Sequence, residues 1–167
     1  MVRQVQGSSG QSKRSAADAF VAEVRAQSLK VLLDTDVLMD VALGRADFGP
    51  ASRSLIEWCQ HKAQATMVAW HTVSNLFYLL SAARGNSFAR SFLGEMLEFA
   101  VVASGETESV RQALSMKMTD FEDALQVVAA MSGKADFIIT RNVTDYRGSV
   151  VPVISPAAFL IRFATAK

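Results

Sequence analysis

Lys30-Val31-Leu32-Leu33-Asp34, the stretch KVLLD, decides how the rest of the chain is read. Its three apolar residues run without polar alternation, as in a strand whose two faces are both covered, whereas a half-exposed strand would alternate with a period of two. A strand covered on both faces belongs to a parallel sheet flanked by helices. In such sheets the functional side chains gather at the C-terminal strand ends, where Asp34 sits.

Working outward from this strand, helical and strand patterns alternate. Helical spacing runs from Val37 to Leu43 and breaks at Gly44, and Gly49-Pro50 opens a helix over 51–62. The run 65–70 reads as a second strand. Residues 71–84 read as a helix with Val73, Leu76, Phe77 and Leu80 inward, stopped by Gly85-Asn86. A helix over 88–99 leads into a short strand at 100–103, and 107–115 is helical again. The clearest helix spans 120–132, where Phe121, Ala124, Leu125, Val128 and Met131 recur at helical spacing. A strand at 136–140, a loop through Arg147, a short strand around 150–153 and a helix after Ser155-Pro156 complete the pattern. This alternation predicts an α/β domain over 30–164 with a parallel sheet between two layers of helices.

Ahead of that domain, 1–15 is polar, Gly/Ser-rich and short of carboxylates, which reads as a disordered leader or an expression remnant. Residues 16–29 carry a short amphipathic pattern with Phe20, Val21 and Val24 on one face, an expected N-terminal helix. The 167 residues, half of them apolar, suffice for one domain with a proper core. A formal charge of +1 excludes no class of partner, because a neutral total can hide an acidic cleft. The single cysteine, Cys59, excludes a disulfide framework and a thiol pair for zinc. No apolar run approaches the roughly 20 residues needed to span a bilayer, and no signal-peptide core is visible, so a soluble, cytoplasmic protein without membrane contact is expected.

The chemistry lies in the carboxylates. Asp34 ends the first strand, and Asn142 and Asp145 follow the strand DFIIT, so the topology converges them on one edge. On the helix beginning at Asp120, a rotation of about 100° per residue puts Asp123 about 60° from Asp120, bordering the apolar face, and turns Glu122 toward water. A site collecting Asp34, Asp123, Asp145 and Asp120 would be self-repelling, and a cation resolves the repulsion. Oxygen ligands without Cys or a well-placed His select Mg²⁺ or Mn²⁺, which suits phosphodiester hydrolysis by an activated water. Each residue also has a purely structural reading. Asp34 and Asp120 can cap helices, Asp123 can serve the helix dipole, and Asp145 in NVTDYRG can build a turn. Asp36 and Asp40 read as surface or capping groups, His71 as structural and His61 as solvated.

Four segments, LLDTDVLMD, HTVSNLFYLL, DFEDALQVVAA and IITRNVTDY, together resemble the PIN domain in order and spacing over about 30–160. The resemblance implies a small parallel five-stranded sheet and an Mg²⁺- or Mn²⁺-dependent endoribonuclease. It further implies a protein that often serves as the toxin of a toxin-antitoxin pair, with RNA as substrate, an antitoxin as partner and a homodimer as the assembly. Matched residue by residue, Asp34 and Asp123 occupy family carboxylate positions. The second family carboxylate, usually Glu, falls at Asn75, as in a branch with a similar SNLFYLL-like stretch. The last position is Asn142, with Asp145 as a substitute acid, and Asp36 stands where the family usually has Asn. The implied site therefore has Asp34, Asp123 and Asp145 as catalytic groups, Asp120 as a further metal ligand, and Asn75 and Asn142 in support. Arg141, and with less reason Arg147 and Lys117, are candidate phosphate contacts, with surface solvation as their alternative.

Two rival readings remain at this level. DTDVL also opens haloacid-dehalogenase-type phosphatases, whose first Asp is a nucleophile, but that class needs a downstream Lys and a later acidic pair that Arg141-Asn142 does not supply. The two Asn replacements also fit a catalytically weakened PIN fold that binds RNA or protein.

Overall fold

The computed structural model describes residues 29–62 and 65–164. The readings of a leader at 1–15 and a helix from 16 lie outside the described residues, apart from Leu29, which is buried in the core. Twelve elements follow in order: β1 (Val31–Leu33), α1 (Thr35–Ala42), α2 (Gly49–Gln60), β2 (Thr66–Ala69), α3 (Trp70–Arg84), α4 (Asn86–Leu97), β3 (Ala100–Ala103), α5 (Thr107–Ser115), α6 (Phe121–Gly133), β4 (Phe137–Ile139), β5 (Val153–Ile154) and α7 (Pro156–Phe163). The five strands form one sheet in the order β3-β2-β1-β4-β5, and every pairing is parallel. The expected three-layer α/β fold with a five-stranded parallel sheet is what is found.

Why KVLLD reads as it does is visible in the packing. Val31 and Leu33 point into one core with Val37, Leu38, Leu76, Leu80 and Phe159, while Leu32 points into the other with Met67, Ala69, Val127 and Ile138. All three strand residues are completely buried, because helices cover both faces of the central strand. The chain leaves β1 with Asp34 extended (φ −71°, ψ 150°) and turns at once into α1. That turn holds the Asp34 carboxylate at the sheet's C-terminal edge. Ala69 repeats the conformation (φ −70°, ψ 152°) before α3, so β1 and β2 hand the chain to helices in the same way.

Two glycines are required by local geometry. Gly85 (φ +88°) takes a backbone conformation that L side chains avoid, which allows α4 to start immediately after α3. Gly105 lies flat against the Trp70 ring, where any Cβ would overlap the indole.

The structure corrects two details. On α6 the buried residues are Ala124, Gln126, Val127, Val128, Ala129 and Ala130, whereas Phe121 and Met131 are 45% and 38% exposed. The inner face is made mostly of small side chains. Gly133 continues that close approach, meeting the Met67 thioether. The last strand lies at Val153–Ile154 instead of around 150–153. Val150 is exposed, and the Ser149 hydroxyl bends the chain by donating to the Val151 carbonyl at 2.7 Å and accepting from its N–H at 3.2 Å. No helix among the described residues is long and apolar enough to cross a membrane.

Candidate active site

At the C-terminal edge of β1 and β4 a pocket of about 240 Å³ is lined by Asp34, Asp36, Asp120, Glu122, Asp123 and Asp145, with Asn75, Asn142, Thr35 and Leu79. The residues singled out from sequence, Asp34, Asp120, Asp123, Asp145, Asn75 and Asn142, are therefore brought together. The lining also includes two carboxylates that sequence reasoning had not counted among the site residues. Asp36 reads as a surface or capping group and Glu122 as facing water; Asp36 is partly exposed and Glu122 exposed, and both also line the cavity.

Asp34 is the buried floor of the pocket, 8% exposed. It occupies the N-cap position of α1 but its side chain caps nothing. Its Oδ2 instead accepts from the Thr140 hydroxyl at 2.7 Å, and its Oδ1 from the Gln126 amide at 3.3 Å. The same Gln126 nitrogen donates to Thr72 at 3.0 Å, and the Thr35 and Thr72 hydroxyls meet at 3.4 Å. Gln126 is fully buried, and sequence reasoning passed over it. A long amide at an inward position of an otherwise apolar helix is the signal that marks it, because a buried amide needs partners.

Burial, above all, pushes the Asp34 carboxyl up to about 6, and the neighbouring Asp36 and Asp123 add to the rise against the Thr140 hydrogen bond. Asp123 is more open but is also held at about 6, first by burial and then by the charge of Asp120. Beneath it lies Tyr146, 3% exposed. The Tyr146 hydroxyl lies close enough to Asp123 to oppose that rise, yet it falls outside standard hydrogen-bond geometry and has no partner among the described residues. Asp120 keeps its cap, accepting the Glu122 N–H at 2.7 Å, so the structural reading of Asp120 holds alongside its place in the pocket. The Asp145 backbone N–H closes a turn onto the Asn142 carbonyl at 3.0 Å while its carboxylate lines the cavity.

The rim is braced by charge. Asp36 accepts from Asn142 Nδ2 at 2.9 Å and from Arg141 Nε at 3.1 Å. Asp40 is completely buried and is paired at 3.0 Å with both Arg141 and Arg45. The surface reading of Asp40 is thus corrected, while Asp36 stays partly exposed in the first turn of α1; the solvated reading of Arg141 is corrected too, since its guanidinium is committed to two carboxylates and lies 4.9 Å from the Phe48 ring centroid. Arg147 and Lys117 are exposed. His61 is exposed with its Nδ1 2.7 Å from the Glu57 carbonyl, and burial lowers His71 to about 4, so His71 stays neutral at physiological pH.

A donor set of carboxylates and amides, with neither Cys nor His, suits a hard divalent cation, and the Tyr146 hydroxyl beside Asp123 makes no hydrogen bond of standard geometry among the described residues. The residues fit such an ion in chemistry. Among the described residues, no three His, Cys, Asp or Glu side chains close into a ready-made cage.

The acidic pocket carries a consequence for stability. In the metal-free folded protein Asp34 takes up its proton near pH 6, whereas in the unfolded chain it does so near 3.8. Between those values the folded state binds more protons, so stability falls as pH rises through the window. For Asp34 the shift corresponds to about 3 kcal/mol, with a smaller addition from the more open Asp123. The thermal midpoint of metal-free protein is expected to be higher at pH 5 than at pH 7.5, and saturating Mn²⁺ should remove most of the difference. Equal midpoints without metal would contradict the buried, uncompensated state of Asp34.

An all-parallel three-layer sheet with acidic residues at the C-terminal edge of its central strands defines the class of the protein. A sequence profile of the PIN domain matches residues 30–144, and the chain belongs to that family. No curated protein matches the chain significantly. Solved structures with the same fold include VapBC2 from Rickettsia felis bound to a DNA fragment from its promoter. That likeness has 12% identity and a TM-score of 0.60, covering 76% of this chain and 98% of that one. VapC20 from Mycobacterium tuberculosis, a Sarcin-Ricin loop cleaving toxin, is similar at 15% identity and a TM-score of 0.54, covering 65% and 87%. FitAB bound to the IR36 DNA fragment is similar at 14% identity and a TM-score of 0.53, covering 75% and 94%. At these identities the likeness is one of fold. Membership of the PIN family replaces the haloacid-dehalogenase-type reading of DTDVL.

Proposed function

We propose that this protein is a metal-dependent endoribonuclease of the toxin type, using Mg²⁺ or Mn²⁺ to hydrolyse RNA phosphodiester bonds. The observation that carries the reading is the pocket itself, with six carboxylates at the C-terminal edge of a PIN sheet and two of them held near pKa 6. Carboxylates crowded in this way repel one another and gain most from a cation. Asp34 and Asp123 would hold it, with Asp120 and Asp145 completing an anionic wall. When bound, a divalent ion supplies charge neutralisation and a water acidified toward neutral pH.

The chain's own groups do the rest. Thr140 and Gln126 fix the Asp34 carboxylate by its two oxygens, so its orientation is set before substrate arrives. The Thr35, Thr72 and Gln126 polar chain behind it keeps that setting rigid inside the core. Asn142, exposed at the rim and tied to Asp36, offers its remaining amide hydrogen to a phosphate oxygen.

A PIN fold shared with a Sarcin-Ricin loop cleaving toxin supports RNA as the substrate class, and kinship in fold with VapBC2 and FitAB supports an antitoxin as partner. Exposed Tyr78 and Leu114 offer apolar surface for that partner or for a second copy in a homodimer. The second reading, a PIN fold that binds without cutting, is favoured by the lack of a closed carboxylate cage among the described residues.

Calorimetric titration with Mn²⁺ beside a cleavage assay on single-stranded and structured RNA separates the two. Saturable Mn²⁺ binding with cleavage that stops on chelation is the expected result. Binding without cleavage would support the module, and neither binding nor cleavage would overturn the metal site.

A further inference from the structure

We infer that Glu122 is a working carboxylate of this pocket, turned into it by Asn75, and that the two residues together supply the charge that an acid on α3 would otherwise provide. This rests on the metal-dependent reading above. Asn75 stands half-buried one turn into α3, and its Nδ2 donates to the Glu122 carboxylate on α6 at 2.6 Å, joining residues 47 positions apart in the chain. Both side chains line the same cavity as Asp34 and Asp123.

The helix dipole accounts for an acidic residue in the first turn of α6, since anionic groups are favoured at a helix N-terminus. It does not account for the direction of the side chain. Glu122 is solvent-exposed and free to swing into water, yet it is tied to Asn75 on α3 and lines the cavity with Asp34, Asp120 and Asp123, where like charge disfavours it. A single amide hydrogen bond holds it there. An arrangement that costs electrostatic energy in the metal-free protein becomes favourable once a cation enters. The independent sign is Tyr146, whose buried hydroxyl stands close to Asp123 but makes no hydrogen bond of standard geometry among the described residues.

In these terms Asn75 is a positioning residue: its neutral side chain contributes no charge, and its donor aims the one that does. Had position 75 carried an acid, Glu122 would be repelled from the mouth, so the residue types at the two positions are complementary. A carboxylate delivered from α6 also enters beside Asp123, which concentrates charge on the α6 side of the pocket.

The test uses the full chain with Mn²⁺ alone as probe, read by calorimetry, with RNA cleavage measured in parallel. Glu122→Gln is expected to weaken Mn²⁺ binding by about tenfold or more, and Asn75→Ala by about tenfold through loss of aim. The exchange variant, Asn75→Glu with Glu122→Gln, puts the acid on α3 and the amide on α6, and is expected to recover Mn²⁺ affinity to within about threefold of the parent. Glu108→Gln, on α5 outside the pocket, serves as the control for a lost surface charge and should leave affinity unchanged. If the parent binds Mn²⁺ and Glu122→Gln binds it equally well, or if the exchange variant is no better than Glu122→Gln alone, the inference falls while the proposed function stands. If the parent binds no Mn²⁺, the proposed function falls and takes the inference with it.

Discussion

Asp34→Asn is expected to reduce metal-dependent RNA cleavage by about 10³-fold or more and, in the same protein, to raise the thermal midpoint of the metal-free form at pH 7.5. A loss of that size corresponds to about 4 kcal/mol of transition-state stabilisation, a magnitude typical of removing one electrostatic element from a preorganised site. The gain in stability has a separate cause. At pH 7.5 the parent carries an ionised Asp34 that is 8% exposed and whose carboxyl prefers its proton up to about 6. The neutral amide avoids that cost. It fits because Gln126 has a buried Oε1, without a partner among the described residues, that can accept from the new amide once the Gln126 side chain flips, while the Thr140 hydroxyl continues to donate to the remaining oxygen. With allowance for that rearrangement, the gain should be about 1–2 kcal/mol, disappearing below about pH 4, where Asp34 is protonated in both folded and unfolded states. Asp123→Asn should lose cleavage similarly but gain less stability, since its carboxylate is more open. Undiminished cleavage by either variant in clean preparations would remove these residues from the site. Opposite signs for activity and stability in one substitution are what a site built by crowding carboxylates requires.

How far the sequence could be read follows from which interactions are local. The three buried residues of β1 announce themselves because burial on both faces leaves an unbroken apolar run, and Asp34 is legible as the polar residue that ends it. Asp123 was reachable because a helix start beside the sheet edge and a known rotation per residue fix its side. The same rotation makes Glu122 an exposed group, which it is, but does not show that it also lines the cavity. The first turn of α6 overhangs the pocket, and a long side chain there reaches the cavity from a flank that the helical wheel assigns to water. Gln126 and the Asp40 ion pairs were hidden for a different reason: each is explained by a partner far away in sequence, and a pairing such as Gln126 with Asp34 or Arg141 with Asp40, 101 residues apart, leaves no periodic trace. Phe121 and Met131 misled because spacing identifies an apolar stripe but not whether small residues beside it are the ones pressed against the sheet.

Arg141 is where these two kinds of information lead to opposite experiments. As a rim cation it would contact RNA phosphate, and Arg141→Ala would flatten the salt dependence of RNA binding while leaving the fold as stable as before. The geometry leads elsewhere. Its guanidinium spans Asp36 at 3.1 Å and the fully buried Asp40 at 3.0 Å, with its side chain 22% exposed. Removing one partner of a buried pair typically costs 3–5 kcal/mol because a charge is left without compensation. Here Arg45 remains on Asp40 at 3.0 Å, and the Ser52 hydroxyl lies 3.5 Å from its other oxygen, so part of the compensation survives. Arg141→Ala is therefore expected to destabilise the protein by about 2–4 kcal/mol in denaturant unfolding. Arg141→Lys should recover little of this, because one ammonium cannot reproduce a guanidinium that donates to Asp36 through Nε and to Asp40 through Nη1. The salt slope of RNA binding should be unchanged in the folded variant. A stable Arg141→Ala with a flattened slope would return Arg141 to the phosphate-contact role. Destabilisation with an unchanged slope would make it the brace that keeps Asp36 at the rim, so that the carboxylates facing the cavity hold their places without a cation of the protein's own among them.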